Sequence, residues 1–305
     1  MARFGSLVGR GITMASFYDR MAENRRNSYL LIAIVFCVCL AAVWGFSLLF
    51  FGDGELGFIL GALFSGGYVA ATYFAADGMI LSISGAREAK KEEFPYLVNV
   101  VEGLSIAAGV PMPKVYVVDD PAPNAFAVGT SPDKASVAFT TGLLSMLNRA
   151  ELEGVAAHEL SHIKNLDSRM ATIAVAMVGL VAILSDIGLR SMFWGGRGGS
   201  RGRGGGGMLA LVGLLIIIIA PVVSHLVRLA LSRQREYLAD ASGAQLTRYP
   251  EGLASALEKM KKSGTMVARA SDATAPLYFA SPLSMGGLLA THPPIDERIR
   301  RLKEM

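Results

Sequence analysis

Two histidines and a glutamate stand in the pattern H-E-x-x-H at His158-Glu159-Leu160-Ser161-His162. Residues four apart on an α-helix lie one turn above each other on one face, so the two imidazoles can converge on a single cation. Glu159, beside the first of them, can take a proton from a water activated by that cation, which is the chemistry of metal-assisted hydrolysis. A catalytic zinc site uses three protein ligands and keeps a position for water, and His, His and Glu is one of the known sets. The third ligand is assigned to Glu236, in the polar, helical-by-pattern stretch Ser232 to Asp240 that follows a long apolar run. Asp240 lies one turn further on the same face, where its carboxylate can accept the second ring N–H of a ligand histidine and fix the tautomer.

These residues need helices to present them. Asn148 is a helix cap, with Glu151 and Glu153 in the first turns, where negative charge is favoured. The flanks of the motif, down to Lys164, Asn165, Asp167 and Arg169, are too polar for a helix immersed in lipid. Upstream, Glu92 to Ala108 reads as an amphipathic helix ended by Gly109, Pro111 and Pro113. Val115–Val118, Ala125–Val128 and Ser136–Phe139 read as strands, the last two flanking a turn at Gly129 to Asp133. The expected fold is a mainly α membrane protein carrying an α+β, zincin-like peptidase domain with a small antiparallel sheet. A free edge of that sheet could hold an extended peptide by main-chain hydrogen bonds.

The membrane assignment rests on composition. Hydrophobic residues make up 52% and charged residues 18% of the chain, and mean hydropathy is +0.43, which excludes an ordinary soluble domain. Residues 1–28 form a basic segment, 29–83 a transmembrane helix pair with Gly57-x-x-x-Gly61 allowing close approach, and 84–169 the first part of the peptidase domain. A second hydrophobic pair occupies 170–231 around a Gly/Arg linker at 190–207, and 232–305 completes the peptidase domain. Bases precede the first span and follow the second, with none between, which puts both flanks in the cytoplasm. The linker has RGG character, but between two membrane segments it reads as a flexible tether at anionic lipid, so no nucleic-acid partner is expected. Cys37 and Cys39 lie within an apolar run and are expected to form no disulfide.

With these residues in place the chain resembles the HtpX-like membrane zinc peptidases of the gluzincin group, related to the CAAX prenyl endopeptidases. The resemblance covers the N-terminal spans, Asn124-Ala125-Phe126-Ala127, the His158–His162 motif, the second apolar pair, Ser232 to Asp240 and Thr291-His292-Pro293-Pro294. It implies one zinc ion per chain on His158, His162 and Glu236, Glu159 as general base, and an edge strand at Asn124 to Ala127 that aligns substrate. It further implies that His292 and Arg298 approach the active centre, His292 as a group able to donate to an oxyanion. Implied, too, is endoproteolysis of damaged or misfolded membrane proteins and unfolded polypeptides, by a multi-pass inner-membrane enzyme whose site faces the cytoplasm. A CAAX-type prenyl-protein peptidase and a non-catalytic, zinc-stabilised scaffold are the alternatives. The sequence names no oligomeric state.

Overall fold

The computed structural model describes residues 14–176, 233–265, 267, 277–279 and 293–305. Helix α1 (Met14–Phe51) runs without interruption from Met14 into the apolar stretch, so the change in composition near Ser28 is no break in the helix. A two-residue link leads into α2 (Gly54–Ile83), capped by Asp53, whose side chain accepts from Leu56 N. Both helices are long and apolar enough to cross a membrane. They pack through the expected small residues: a Cβ at Gly57 would lie 2.3 Å from Ser47 Cβ, and one at Gly61 2.9 Å from Leu40 Cδ1. Cys37 is exposed and Cys39 buried, and both are free thiols.

The chain runs directly from α2 into β1 (Ala86–Glu88), then α3 (Pro95–Ala108), β2 (Lys114–Val118), β3 (Ala125–Val128) and β4 (Ser136–Thr140). Helix α3 starts at Pro95 rather than Glu92, because proline fits the first helical turn and Phe94 is already outside helical geometry. The sheet is mixed, in the order β1-β2-β4-β3, which corrects the antiparallel expectation. Strands β3 and β4 do form the expected antiparallel hairpin, but β4 inserts beside β2 in parallel register, Val115 opposite Val137 and Val117 opposite Phe139. The connection from β2 to β3 must therefore pass the end of β4. It does so against α4 (Thr141–Met146): Gly142 N donates to Asp120 O at 2.9 Å, and a Cβ at Gly142 would fall 2.0 Å from Pro121 O.

Helix α5 (Arg149–Lys164) begins with a full capping box, Asn148 Oδ1 accepting from Glu151 N while Glu151 Oε2 accepts from Asn148 N. The chain is helical again over 167–176 (α6). Helices α7 (Arg233–Thr247), α8 (Pro250–Ser263) and α9 (Ile295–Lys303) complete the described chain. One core joins the sheet to α3, α5, α8 and α9, with Val101, Val117, Phe139, Leu143, Val155, Leu253 and Leu257 buried within it. Burial of this kind stabilises by about 1.5–3 kcal/mol for each large side chain. The expected second hydrophobic pair, its Gly/Arg linker and Ser232 lie almost wholly outside the described residues, as does His292.

Candidate metal centre

Helix α5 carries His158, Glu159 and His162 into the interior, where α7 crosses it at very short range. A Cβ at Gly243 of α7 would lie 3.0 Å from His158 N, and one at Gly154 of α5 would lie 2.8 Å from Leu253 N of α8. Larger residues there would push the helices apart, so Gly243 sets the distance across which Glu236 reaches the histidines and Gly154 sets how closely α8 packs on α5. Sequence reading passed over both, because a glycine inside a helix declares its use only when its neighbour is known.

The three expected ligands converge. His158 Nε2 and His162 Nε2 are 3.0 Å apart, His162 Nε2 and Glu236 Oε1 3.5 Å, and His158 Nε2 and Glu236 Oε2 3.8 Å. Atoms bound to one tetrahedral zinc at about 2.0–2.1 Å are roughly 3.3–3.4 Å from each other, so this donor set fits such an ion in spacing and in chemistry. His158 and Glu159 are 0% and 1% exposed. The Oε1 atom of Glu159 is buried without a hydrogen-bond partner among the described residues, and burial pushes its carboxyl up to about 8.

Each histidine is held from behind by a different carboxylate. His158 Nδ1 lies 2.9 Å from Asp240 Oδ1, as the one-turn spacing after Glu236 predicts. Asp240 is gripped by Arg298 through two bonds, Nε to Oδ2 at 2.8 Å and Nη2 to Oδ1 at 2.7 Å. Arg298 is 1% exposed, its third nitrogen, Nη1, donates to Phe279 O at 2.8 Å, and the same atom stands 3.6 Å from Glu236 Oε2. Burial pulls Arg298 down, but the charges of Asp240, Glu236 and Glu159 outweigh it and hold the guanidinium protonated. Burial also pushes the His158 imidazole down to about 4, leaving it neutral with the Nδ1 proton toward Asp240 and the Nε2 lone pair toward the site.

His162 is held by Asp167, whose Oδ2 is 3.1 Å from His162 Nδ1. Asp167 had registered only as a charged flank of the motif. Five residues from His162, it is off the helical face, and the chain returns it through a turn in which Leu166 adopts φ 62°. A buried leucine in left-handed geometry costs about 1–2 kcal/mol, which the surrounding contacts must offset. Burial lowers the His162 imidazole, yet Asp167, Glu236 and Glu159 outweigh it and raise it to about 9.

Asn124, Ala125, Phe126 and Ala127 are all buried at the outer strand of the sheet, beside α5. The edge they form is not free, contrary to expectation. Phe126 makes an antiparallel bridge with Tyr278, and Phe279 N donates to Ala125 O at 2.8 Å. The Phe279 ring continues onto the site, 4.8 Å from the His158 ring and 4.6 Å from the Arg298 guanidinium carbon. An apolar run with no partner in sequence gave no sign of this pairing.

Residues 91–305 match the family described as Peptidase family M48. The chain is 51% identical over 300 residues to a protein named Protease HtpX homolog from Dictyoglomus turgidum, covering 95% of each. It is 47% identical over 299 residues to another of that name from Caldanaerobacter subterraneus subsp. tengcongensis, covering 96% of this chain and 99% of the relative. Among solved structures, Ste24p of S. mikatae aligns with a TM-score of 0.48 at 18% identity, covering 93% of this chain and 67% of that one. The match over the peptidase region and the near full-length identities agree: this chain belongs to peptidase family M48.

Proposed function

We propose that this membrane protease is a zinc endopeptidase that hydrolyses damaged or misfolded membrane proteins and unfolded polypeptides on the cytoplasmic side of the inner membrane. His158, His162 and Glu236 hold the ion, which when bound supplies a Lewis acid and makes water acidic enough to ionise near neutral pH. Glu159 accepts the proton of the attacking water at its free Oε1 and returns it to the leaving amine. Burial holds the Glu159 carboxyl above its ordinary value, which suits it to keep the proton until the leaving amine takes it. His158 stays neutral because it is buried, Asp240 orients its ring, and Asp167 orients that of His162. The segments 84–169 and 232–305 act as one peptidase domain around this site, and His292, in the chain just before α9, is assigned to the oxyanion.

The observation that carries this reading is the buried Glu159 Oε1, unpartnered among the described residues, beside a three-ligand donor set. A zinc that only stabilised a scaffold would need a closed set of four ligands and no such carboxylate. Strand β3 aligns the substrate; a peptide that reaches Ala125 O displaces Phe279 N from it. The cytoplasmic assignment is supported by Arg25 and Arg26 before the first span and by Arg87, Lys90 and Lys91 after the second. Both helices also join the peptidase region at these basic ends, α2 through β1 and α1 through Asn24.

The test is Glu159→Gln in the purified full chain, with zinc content and cleavage of an unfolded reporter measured together. Zinc is expected to stay while cleavage falls by about 10²–10⁴-fold. Undiminished cleavage would remove Glu159 as the base. Glu236→Ala is expected to lose zinc, and unchanged zinc content would exclude it as a ligand.

A further inference from the structure

Asp167 uses both oxygens: while Oδ2 faces His162, Oδ1 accepts a 2.7 Å hydrogen bond from Asn24 Nδ2 on α1. The same amide nitrogen donates to Asn165 O at 2.9 Å, in the turn that carries Asp167, and Asn24 Oδ1 faces Arg235 Nη1 at 3.4 Å. The amide orientation follows from chemistry: its nitrogen meets two acceptors and its oxygen a guanidinium, so a flipped amide would set oxygen against carboxylate. Asn24, Asp167 and Arg235 are 6%, 6% and 8% exposed. A buried amide just before a membrane-spanning stretch is costly unless its hydrogen bonds are made, and here they are made to the metal centre's own support.

We propose that Asn24 is a positioning residue for the metal centre. It fixes Asp167, Asp167 fixes the tautomer and ring plane of His162, and zinc retention thereby depends on how the first membrane helix docks on the peptidase domain. This rests on the reading of His158, His162 and Glu236 as zinc ligands. Partners behind a ligand histidine commonly change metal affinity by about 10–100-fold, and Asn24, one bond further out, is expected to be worth about tenfold.

The experiment measures the zinc dissociation constant of the full-length, detergent-purified chain by chelator competition. Asn24→Ala is expected to bind zinc about tenfold more weakly. Asn24→Leu keeps size and shape but has no hydrogen to donate to Asp167, so it is expected to lose at least as much, and it serves where the alanine variant does not fold. Ser28→Ala changes a buried residue of the same helix whose hydroxyl, among the described residues, bonds only to Asn24 O of the backbone, and is expected to bind as wild type. In an Asp167→Asn background, Asn24→Ala should change affinity by less than about twofold, because its route to the metal is already cut. Wild-type affinity in both Asn24 variants, or additive losses in the double variant, would overturn the proposal. Loss of zinc binding equal in Ser28→Ala would overturn it as well, by reducing Asn24 to helix packing. The underlying reading fails separately, if Glu236→Ala retains zinc.

Discussion

The two histidines of the site are one helical turn apart, yet their supports are built from different parts of the molecule. Behind His158 stand Asp240 and Arg298, both on helices of the peptidase domain, in a fully buried pair with bidentate geometry. Behind His162 stand Asp167 and Asn24, one on the helix following a left-handed turn and the other on the membrane anchor. Burial lowers the His158 imidazole, whereas around His162 the carboxylates outweigh burial and raise it. One histidine is therefore supported from the domain core, and the other from the membrane helix.

If that division holds, the two sides fail differently. Arg298→Met leaves the Asp240 carboxylate buried without its cation, and the metal-free protein is expected to lose about 3–5 kcal/mol in chemical denaturation. Asp167→Asn, which keeps the side chain's shape and an oxygen to accept from Asn24, should instead cost less, about 1–2 kcal/mol, while weakening zinc by about 10–100-fold in chelator competition. Should Asp167→Asn cost as much stability as Arg298→Met, the two supports are of one kind and the comparison is broken.

A smaller effect serves as reference, on α5 but remote from both supports. Burial pushes the Glu151 carboxyl up, while hydrogen bonds from Lys259, Ser255 and the Asn148 backbone, with the Lys259 charge, outweigh it and hold the group below its ordinary 4.5. The fold thus prefers the ionised form, so its contribution is complete above 4.5 and is lost as pH falls through the lower folded value. Glu151→Gln is expected to cost about 1–2 kcal/mol at neutral pH, a difference that shrinks below that point, with zinc affinity unchanged. A gap that widened in acid would reverse the assigned sign.

What could be read from sequence follows helical faces. His158, His162, Glu236 and Asp240 are legible because a spacing of four is itself a spatial statement on a helix. Asp167 was not, since its geometry depends on Leu166 at a positive φ, which a leucine rarely adopts. Asn24 was hidden for another reason: its partners lie 141 and more residues away, and no periodicity encodes a contact across that distance. The strands themselves were legible, but β4 opposite β2 in parallel was not, because pairing order is decided by the crossing loop over Gly142. The edge taken by Tyr278 and Phe279 was lost for the same reason.

The unbroken run of α1 also acts as a ruler. From Tyr29 to Phe51 the helix climbs about 33 Å, close to the roughly 30 Å thickness of a bilayer's hydrocarbon layer. Asn24 is five residues beyond Tyr29, about 7.5 Å along the axis, and it touches the support of the metal centre. On a helix that crosses upright, Asn24 then comes at about headgroup level, at a height set by a rigid rod. A chain emerging from the membrane must extend by about two or three residues before any of its peptide bonds can reach that height.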